Sequence, residues 1–409
     1  MGKNGFTDIL LNSNDTYFKT LSDNYDLVII DELFTLHGIA GADIIKQRKN
    51  IPYIIYSPTV QTFWYQSMIA LSRNYVSSDC LFGPLPSKST DYYKPSNFFD
   101  RFIAFFETST EVILMNLFIL PITNLLLPDA KMERFFTEAH LTLGEHIDRL
   151  GNPLSEGNDL LLVGSNCKSA SKVINSTLPK EWKEFIEDPK SKGTIYVSFG
   201  SAILWDFAPQ RIRNSFIQAF NKMSEYRIIF SWNGKFPSEA KSHIKFIKWV
   251  PQMAILSHPK TKVFLTHGGL KSLKESLCAE VPVVLLPLLA EQSYNAKFGL
   301  KVGIGLVLNK YELNPEKIVE TIKNVANNNK YREKIQKLKD IYLDRPIDAS
   351  KYGSFRINKL LKERKKFGNE LYDSAHENLI KRKGRLLSNW KFYGFDLIFA
   401  IFTLVYFFK

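Results

Sequence analysis

The chain has 409 residues, of which 45% are hydrophobic and 23% are charged, and its formal net charge is +13. This length predicts two or three domains, and this composition excludes an intrinsically disordered chain. The positive charge does not indicate a nucleic-acid partner, because the basic runs lack the interleaved aromatics and glycine-rich motifs of RNA-binding modules.

The first part of the chain alternates predicted helices and strands. Residues 1–14 lack the basic and apolar segments of a signal peptide, and the opening Met-Gly lacks the rest of a myristoylation motif. A short helix is predicted at residues 8–22, buried strands at 25–31 and 51–57, and a helix at 36–48 between those strands. The two strands and the helix between them predict a βαβ unit.

An apolar stretch follows at residues 102–127, and it is interrupted by Glu107, Glu111 and Pro121. Its uninterrupted apolar runs are too short to cross a bilayer. Two interpretations stay open, namely helices that cover a lipophilic pocket and helices that touch a membrane surface. We expect the buried arrangement.

The second half of the chain repeats the alternation. A polar segment at residues 166–176 predicts a domain boundary, and a strand at 194–201, a helix at 209–223 and a strand at 227–232 follow it. This pattern predicts an α/β fold with a parallel sheet. Further helices are predicted at residues 315–327, 331–344 and 354–366, the last of them basic.

The stretch at residues 248–292 contains the strongest functional pattern. Two apolar strands, predicted at 263–266 and 281–286, flank a helix that begins just after Gly268 and Gly269. A helix N-terminus behind a glycine turn binds anions, because its backbone N–H groups are free and the helix dipole is positive there. This unit therefore predicts a site for a phosphate or a diphosphate.

Residues around this unit suit the parts of a nucleotide sugar. His267 follows the first strand and can donate to a phosphate oxygen, and Ser272 lies in the first helical turn. Glu275 suits the two hydroxyls of a ribose, the pair Glu291-Gln292 suits those of a sugar, and Trp249 offers a face to a base. Each has an ordinary structural explanation when taken alone, so the prediction depends on their order and spacing.

That order resembles the signature of a known family. Trp-x-Pro-Gln, His-Pro, Phe-x-Thr-His-x-Gly, Glu, Pro-x-x-x-x-Pro and Glu-Gln-x-x-Asn-Ala follow one another as in the UDP-glycosyltransferases, and the nearest subgroup is the animal UDP-glucuronosyltransferases. The resemblance implies a GT-B fold of two Rossmann-like domains, the first lacking its N-terminal part here, and a C-terminal transmembrane helix. It also implies UDP-glucuronic acid or UDP-glucose as co-substrate, bound without a cofactor or a metal ion.

The family's donor-binding residues transfer onto positions of this sequence. By resemblance, Trp249 stacks on uracil, Gln252 and Glu275 hold the ribose, and Glu291 with Gln292 holds the sugar. The diphosphate is assigned to Ser201, His267, Gly269 and Ser272.

Two positions depart from the family pattern. Lys271 stands where many relatives have a neutral residue, and it can add a phosphate contact. Glu291 stands where vertebrate members usually have Asp, and it reaches one methylene further. The identity of the transferred sugar therefore stays open.

The catalytic pair of the family belongs to the first domain. By resemblance, Asp31 orients a histidine that takes the proton of the acceptor hydroxyl. That histidine is expected upstream of the first residue of this chain. His37 lies close to Asp31 in sequence but matches no catalytic position.

Cysteines and sequons bear on the compartment. The three cysteines, Cys80, Cys167 and Cys278, are too few and too scattered for a disulfide scaffold or a zinc site, and they do not decide the redox compartment. Asn-x-Ser/Thr sequons at Asn14 and Asn175 are compatible with a lumenal protein.

The C-terminal tail predicts a single membrane anchor. Residues 392–408 form an apolar run at the short limit for crossing a bilayer, and a basic cluster at 381–385 and Trp390 precede it. A buried terminal helix is the alternative. The basic cluster predicts cytosolic flanking residues, whereas the resemblance implies domains in the lumen of the endoplasmic reticulum.

These elements divide the chain into four predicted parts. They are an acceptor-side Rossmann-like domain at residues 1–165, a UDP-sugar-binding domain at 166–345, a segment at 346–391, and the transmembrane helix at 392–408. The segment at 346–391 contains a return helix, which by resemblance crosses back to the first domain, and a juxtamembrane stretch.

The resemblance implies transfer of glucuronic acid or glucose, with inversion, from a UDP-sugar to a hydroxyl of small lipophilic acceptors. Assembly with itself or with a relative is compatible with this function. Two alternatives stay open: a UDP-sugar-binding or regulatory subunit without chemistry of its own, and a truncated gene model of such an enzyme.

Overall fold

Two parallel sheets organise the protein. The structure is a computed structural model that describes residues 19–32, 35–59, 63–68, 94, 96–126, 130–147, 150, 156–167, 178–201, 203–289, 291–368, 381, 385, 387, 391 and 394–407. Most of the helix predicted at residues 8–22, and most of the boundary segment predicted at 166–176, lie outside the described residues.

The first sheet has four strands that lie side by side in chain order and pair in parallel. They are β1 (Val28–Asp31), β2 (Tyr53–Ser57), β3 (Leu141–Gly144) and β4 (Leu160–Leu162). The helices of this half are α1 (Leu36–Lys49), α2 (Phe63–Met68), α3 (Phe98–Leu114), α4 (Leu120–Leu126) and α5 (Met132–Glu138). The predicted βαβ unit is confirmed as β1, α1 and β2.

The second sheet has six parallel strands in the spatial order β10-β9-β8-β5-β6-β7. They are β5 (Thr194–Ser198), β6 (Arg227–Ser231), β7 (Ile244–Ile247), β8 (Thr261–Thr266), β9 (Val283–Leu285) and β10 (Gly305–Val307). This is the doubly wound order, in which the chain starts in the middle and builds outward to each side. The predicted α/β fold with a parallel sheet is confirmed.

Helices cover the second sheet, and its central strands are buried, which explains why they read as apolar runs. The helices are α6 (Lys180–Glu187), α7 (Gln210–Asn221), α8 (Gln252–Leu256), α9 (Leu270–Ala279), α10 (Gln292–Val302), α11 (Pro315–Asn327), α12 (Asn329–Leu343) and α13 (Ala349–Phe367). Helix α11 begins where local signals predict it, because Asn314 caps the Lys317 N–H and Pro315 occupies the first turn.

The apolar stretch predicted at residues 102–127 forms one long helix. Helix α3 runs into a π-helical turn, Met115–Ile119, and then into α4. The π turn shifts the hydrogen-bond register just before Pro121, which has no N–H to donate, so the helix continues through the proline. Residues Phe98–Leu125 are long and apolar enough to cross a membrane, by length and composition only.

This long helix is exposed, and the expectation of a buried helix is wrong. Only 11% of its most apolar window is buried. The exposed large apolar side chains are Phe98, Phe99, Phe102, Ile103, Phe105, Phe106, Ile113, Leu114, Leu117, Phe118, Ile119, Ile122 and Leu125. Glu107 and Glu111, which divide the apolar runs, lie within α3 and do not end it.

The C-terminal tail contains an exposed apolar helix, α14 (Phe395–Phe407), of 13 residues. Such a helix is about 20 Å long, shorter than the roughly 30 Å core of a bilayer. The membrane-spanning helix at residues 392–408 therefore stays a prediction.

Cys167 and Cys278 form a disulfide between residues 111 positions apart, with their Cα atoms 5.5 Å from each other. The sequence did not indicate this single bridge, because separation along the sequence does not measure distance in the fold. Cys80 lies outside the described residues.

Asp43 predicts a stability test within the first half. Its fully buried carboxylate accepts from the Arg134 Nε at 2.7 Å and from the Lys131 N–H at 2.9 Å, which joins α1 to α5. We expect Asp43→Ala to lower the free energy of unfolding by roughly 2–4 kcal/mol, because the change leaves these donors without their acceptor. Urea denaturation measures the change.

The matched control is Lys180→Ala, which removes an ion pair to Glu184 whose side chains are 90% and 67% exposed. The control is expected to change stability by less than about 0.5 kcal/mol. Equal effects of the two substitutions would contradict the structural role of Asp43.

Candidate functional site

The candidate site lies at the switch point of the second sheet, between β5 and β8. These strands are neighbours, with Ser198 beside Thr266, but the chain continues from them to opposite sides of the sheet. Such a divergence opens a crevice at the carboxyl ends of the strands, where ligands of doubly wound sheets bind. The residues that follow the two strands, Gly200 with Ser201 and His267 with Gly269, therefore lie at this crevice.

The imidazole of His267 is packed between two glycines. A Cβ at Gly200 would lie 3.2 Å from ring Cε1, and a Cβ at Gly269 would lie 2.6 Å from ring Nε2. The second distance is shorter than real contacts allow, so Gly269 leaves room for the ring at the N-cap of α9. The Nε2 edge thus faces the helix N-terminus, where an anion is favoured.

Burial lowers the pKa of His267 to about 4, and a hydrogen bond with the backbone of Ser198 offsets part of this effect. The ring is therefore neutral at pH 7 and carries one N–H. Because that single N–H serves the hydrogen bond with Ser198, a second donated hydrogen bond requires the protonated ring.

Three residues predicted to bind the UDP-sugar come together beside the first turns of α8 and α9. The Gln252 amide Nε2 donates to a carboxylate oxygen of Glu275, and it lies 3.5 Å from the Ser272 hydroxyl. The Gln252 carbonyl oxygen accepts from the Tyr196 hydroxyl at 3.0 Å. Ser272 and Glu275 are three residues apart on α9 and so share one face of the helix.

Two further predicted residues are exposed at the rim. Trp249 follows β7 and precedes α8, and 77% of it is exposed. Ser201 is exposed in the turn after Gly200, whose φ of 77° is left-handed. Both are placed where a ligand at the crevice can reach them, and Lys271 is likewise exposed in the first turn of α9.

Glu291 and Gln292, predicted to hold a sugar, are engaged by backbone groups. Glu291 accepts a hydrogen bond from the backbone of Leu270, the first residue of α9, while burial raises its pKa. The Gln292 carbonyl oxygen accepts from the N–H groups of Leu288 and Leu289, at 2.9 and 3.1 Å. Their roles toward a sugar stay predictions.

Asn295 is a site residue whose role the sequence did not indicate. Its buried side chain donates from Nδ2 to the carbonyl oxygen of Gly268 at 2.8 Å. Gly268 adopts a left-handed φ of 88° between His267 and α9. Asn295 therefore holds the turn that leads into α9, and its position in the Glu-Gln-x-x-Asn motif was the available signal.

The edge of the first sheet presents carboxyl groups. Asp31 ends β1, and Glu32 follows it and accepts from the Ser57 hydroxyl at 2.6 Å. Burial raises the pKa of Glu32 to about 7. Its second oxygen, Oε2, is buried and has no hydrogen-bond partner among the described residues. Asp31 is predicted from the sequence and Glu32 is not, because the only signal for Glu32 is its place at the strand end.

Metal ligands do not cluster in the part of the chain that the structure describes. No group of three or more His, Cys, Asp or Glu side chains is placed there to hold a metal ion. The prediction of metal-free donor binding therefore rests on the resemblance and stays a prediction.

Comparison with known families matches more than half of the chain. The family model described as UDP-glucoronosyl and UDP-glucosyl transferase matches residues 158–377. The UDP-glucuronosyltransferase of Pleuronectes platessa is 33% identical over 220 residues, which cover 54% of this chain and 45% of that protein. UDP-glucuronosyltransferase 1A6 of Mus musculus is 28% identical over 248 residues, which cover 61% and 43%. The chain thus spans less than half the length of the curated relatives it matches.

Solved glycosyltransferase structures share the fold. A UDP-glucose:anthocyanidin 3-O-glucosyltransferase in complex with UDP superposes with a TM-score of 0.54 at 16% identity, over 88% of this chain and 80% of that chain. The spinosyn forosaminyltransferase SpnP superposes with a TM-score of 0.58 at 14% identity, over 86% and 79%. At these identities the likeness shows the fold alone, and it agrees with the predicted GT-B type.

The buried imidazole predicts a pH dependence of stability. The pKa of His267 is about 4 in the folded chain and near 6.5 in the unfolded chain, so the unfolded chain binds the proton first as pH falls. The stability that neutral His267 contributes is present above pH 6.5 and is lost as pH falls through 4. Between pH 7.5 and pH 5, we expect the free energy of unfolding to fall by on the order of 1–2 kcal/mol less in His267→Gln than in the unmodified protein.

Denaturant titrations of both proteins at the two pH values measure this difference. Other titrating groups, such as His258, are present in both proteins, and their contributions cancel in the comparison. An equal pH-dependent loss in both proteins would show that His267 is not desolvated in solution.

Proposed function

This chain belongs to the family of UDP-glucuronosyl and UDP-glucosyl transferases, and on that basis we propose that it transfers a hexosyl group from a UDP-sugar to a hydroxyl of a small lipophilic acceptor. The observation that carries the proposal is the convergence of Gln252, Ser272 and Glu275 at the switch point that also holds His267. A nucleotide sugar needs these groups together, because its base, ribose and diphosphate lie within a few bonds of one another.

The proposed donor lies along the carboxyl edge of the second sheet. Trp249 stacks on uracil, because its exposed indole face stands at the start of α8. Glu275 accepts from the ribose hydroxyls, with Gln252 beside it. Ser272 donates to the diphosphate at the N-terminus of α9, and His267 donates there from its second ring nitrogen, because the negative charge of the bound diphosphate favours the protonated ring. Ser201 adds a hydroxyl from the opposite strand end.

The fixed imidazole suits a leaving diphosphate. Negative charge grows on the diphosphate as the bond to the anomeric carbon breaks, and N–H groups and a helix dipole stabilise such charge when they are fixed in place beforehand. His267 is held by its two neighbouring glycines, so it does not have to reorient during the reaction. In this proposal, fixed dipoles replace the divalent cation that other nucleotide-sugar enzymes use.

The acceptor is proposed to bind at the edge of the first sheet that carries Asp31. The acceptor oxygen bonds to the anomeric carbon from the face opposite the diphosphate, and UDP leaves with the electron pair of the broken bond. The acceptor proton goes to a base that Asp31 orients, as the resemblance implies. This geometry inverts the anomeric centre.

The sugar is proposed to lie beside Glu291, where α10 begins. The Glu291 carboxylate accepts from the backbone of Leu270, so the N-terminus of α9 fixes the position of Glu291. Glucose and glucuronic acid differ only at C6, which carries a hydroxyl in one and a carboxylate in the other. Both sugars remain within the proposal.

Two exposed apolar helices support a membrane location. The long helix of α3 and α4 presents large apolar side chains to its surroundings, and α14 does the same. Leu120 packs with Phe135 and Phe136 of α5, and Arg385, which precedes α14 by ten residues, donates to the carbonyl oxygen of Phe136. We propose that both helices contact one bilayer.

The disulfide supports the compartment of the proposal. Structural disulfides persist in oxidising compartments such as the lumen of the endoplasmic reticulum and are rare in the cytosol. Cys167 and Cys278 are bonded, and Cys278 belongs to the helix that carries the donor residues. We therefore place the second half, which carries the UDP-sugar site, on the lumenal side in this proposal.

The donor site predicts an affinity test. We expect Glu275→Ala to weaken UDP binding by about 10- to 100-fold, because the substitution removes a charged acceptor for the ribose hydroxyls. We expect His267→Ala to lower turnover by at least about 100-fold, because it removes a donor to the leaving diphosphate. Calorimetric titration with UDP and a turnover assay with UDP-glucose and UDP-glucuronic acid measure the two effects.

The matched control is Glu239→Ala, which removes an exposed carboxylate of the same half away from the crevice. It should leave both quantities unchanged. Unchanged UDP affinity in Glu275→Ala would reject the ribose assignment, and UDP binding without turnover in the unmodified protein would favour a non-catalytic UDP-sugar-binding subunit.

The exposed helix predicts a membrane-binding test. We expect the triple substitution of Phe102, Phe106 and Leu117 by Ser to lower the bound fraction in vesicle flotation several-fold, because these side chains lose most of their transfer free energy into lipid. Vesicles of mixed neutral and anionic phospholipid serve as the probe.

The matched control replaces two exposed apolar residues of the second half, Phe207 and Tyr311, by Ser. The control should float like the unmodified protein. A triple variant that binds vesicles normally but loses self-association in sedimentation would identify the helix as a protein interface.

A further inference from the structure

Helix α9, which carries Ser272 and Glu275, is also held by the first half of the chain. Its Lys274 donates from Nζ to a carboxylate oxygen of Glu145, the residue directly after β3. The two side chains are only 13% and 20% exposed, so water and salt screen this pair less than a surface pair.

A second link to α9 lies one helical turn further on. Cys278 is bonded to Cys167, which lies in the segment that leaves β4. Residues 274 and 278 are four apart, so both links leave from one face of the helix. The segment before Cys167 is itself fixed to the second half, because Arg345 donates to the carbonyl oxygen of Leu162 at 3.0 Å.

The two residues of α9 that are proposed to bind the UDP-sugar lie on another face of the helix. Ser272 and Glu275 both approach Gln252, and their face is about 110° around the helix from that of Lys274 and Cys278. A third face, with the buried Leu273 and Leu277, packs into the core. The links to the first half therefore set the position of the helix without occupying the donor site.

The ion pair also connects to the edge of the first sheet that carries Asp31, which is named here the acceptor edge. The second carboxylate oxygen of Glu145 accepts from the Tyr56 hydroxyl at 2.8 Å. Tyr56 lies directly beside Asp31 in the pairing of β1 with β2. A continuous set of contacts thus runs from the donor helix through Lys274, Glu145 and Tyr56 to the strand end that carries Asp31.

We propose that Lys274 and Glu145 are positioning residues, and that their ion pair and the Cys167–Cys278 disulfide together hold α9 in register with the acceptor edge. This inference rests on the proposed glycosyl transfer. Without the pair, the contacts of UDP inside the second half are unchanged, but the anomeric carbon and the acceptor hydroxyl lose their alignment. Misalignment of reacting atoms lowers the rate of the chemical step more than it lowers affinity.

The test compares Lys274→Gln, Glu145→Gln and the double variant in the full chain. We expect each single variant to lower kcat by about tenfold or more while the Kd for UDP changes by less than about threefold. We expect the double variant to be no worse than either single variant, because the two residues act as a unit.

The matched control is Lys339→Gln. Lys339 pairs with Glu280 at the C-terminal end of α9, and both residues belong to the second half. This variant removes a comparable ion pair from the same helix without crossing to the first sheet, and kcat should stay within about twofold of the unmodified value. An equal loss in the control would assign the effect to helix stability and overturn the proposal.

A second measurement does not depend on turnover. Hydrogen exchange of the α9 amides should become faster in Lys274→Gln and in Cys278→Ser, and Cys167→Ser should match Cys278→Ser, because both remove one bond. If the exchange rates of the α9 amides are unchanged in all of these variants, the ion pair and the disulfide do not position the helix and the proposal is overturned. Absence of both UDP binding and turnover in the unmodified protein would instead reject the proposed function, whereas the exchange result would still decide whether α9 is held.

Discussion

The donor site depends on one topological constraint, the divergence of the chain at β5 and β8. The strand after β5 lies on one side of the sheet and the strand after β8 lies on the other, so no connection covers the carboxyl ends of these two neighbours. Because Ser198 and Thr266 lie side by side, the residues that follow them meet across the crevice. The contact between Gly200 and the ring of His267 is a direct consequence of that register.

The polar groups of the site are paired with other groups of the chain. Gln252 joins Tyr196 to Glu275, and Glu291 accepts from the first residue of α9. Burying such groups without partners would cost roughly 1–3 kcal/mol each, so this pairing stabilises the arrangement of the site. A ligand must exchange these hydrogen bonds for its own, and its affinity reflects the difference between the two sets. Base stacking on the exposed Trp249 exchanges no such hydrogen bond and so contributes to the net gain.

The sequence predicted the second sheet better than it predicted partners in space. Buried parallel strands read as apolar runs, and the cap at Asn314 marks the start of α11, so local chemistry was sufficient there. The order of the motifs predicted the grouping of Gln252, Ser272 and Glu275. The partners of Gln292 and Asn295, and the bond between Cys167 and Cys278, depend on tertiary geometry that spacing does not encode. The long apolar helix was misjudged for a related reason, since buried helices and lipid-facing helices have the same composition.

The two halves differ in how they shelter apolar side chains. Helices cover the second sheet, and its aromatic side chains, such as Trp205 stacked on Trp232 at 4.4 Å, are buried. The first half instead leaves a long helix that is apolar around much of its circumference and exposed, a combination that is stable only against another apolar phase. If that phase is a bilayer, the half proposed to bind the acceptor is the half that touches the lipid. A lipophilic acceptor concentrates in lipid, so it would reach the edge of Asp31 from the membrane, while the water-soluble donor would enter the crevice of the second sheet from the aqueous phase.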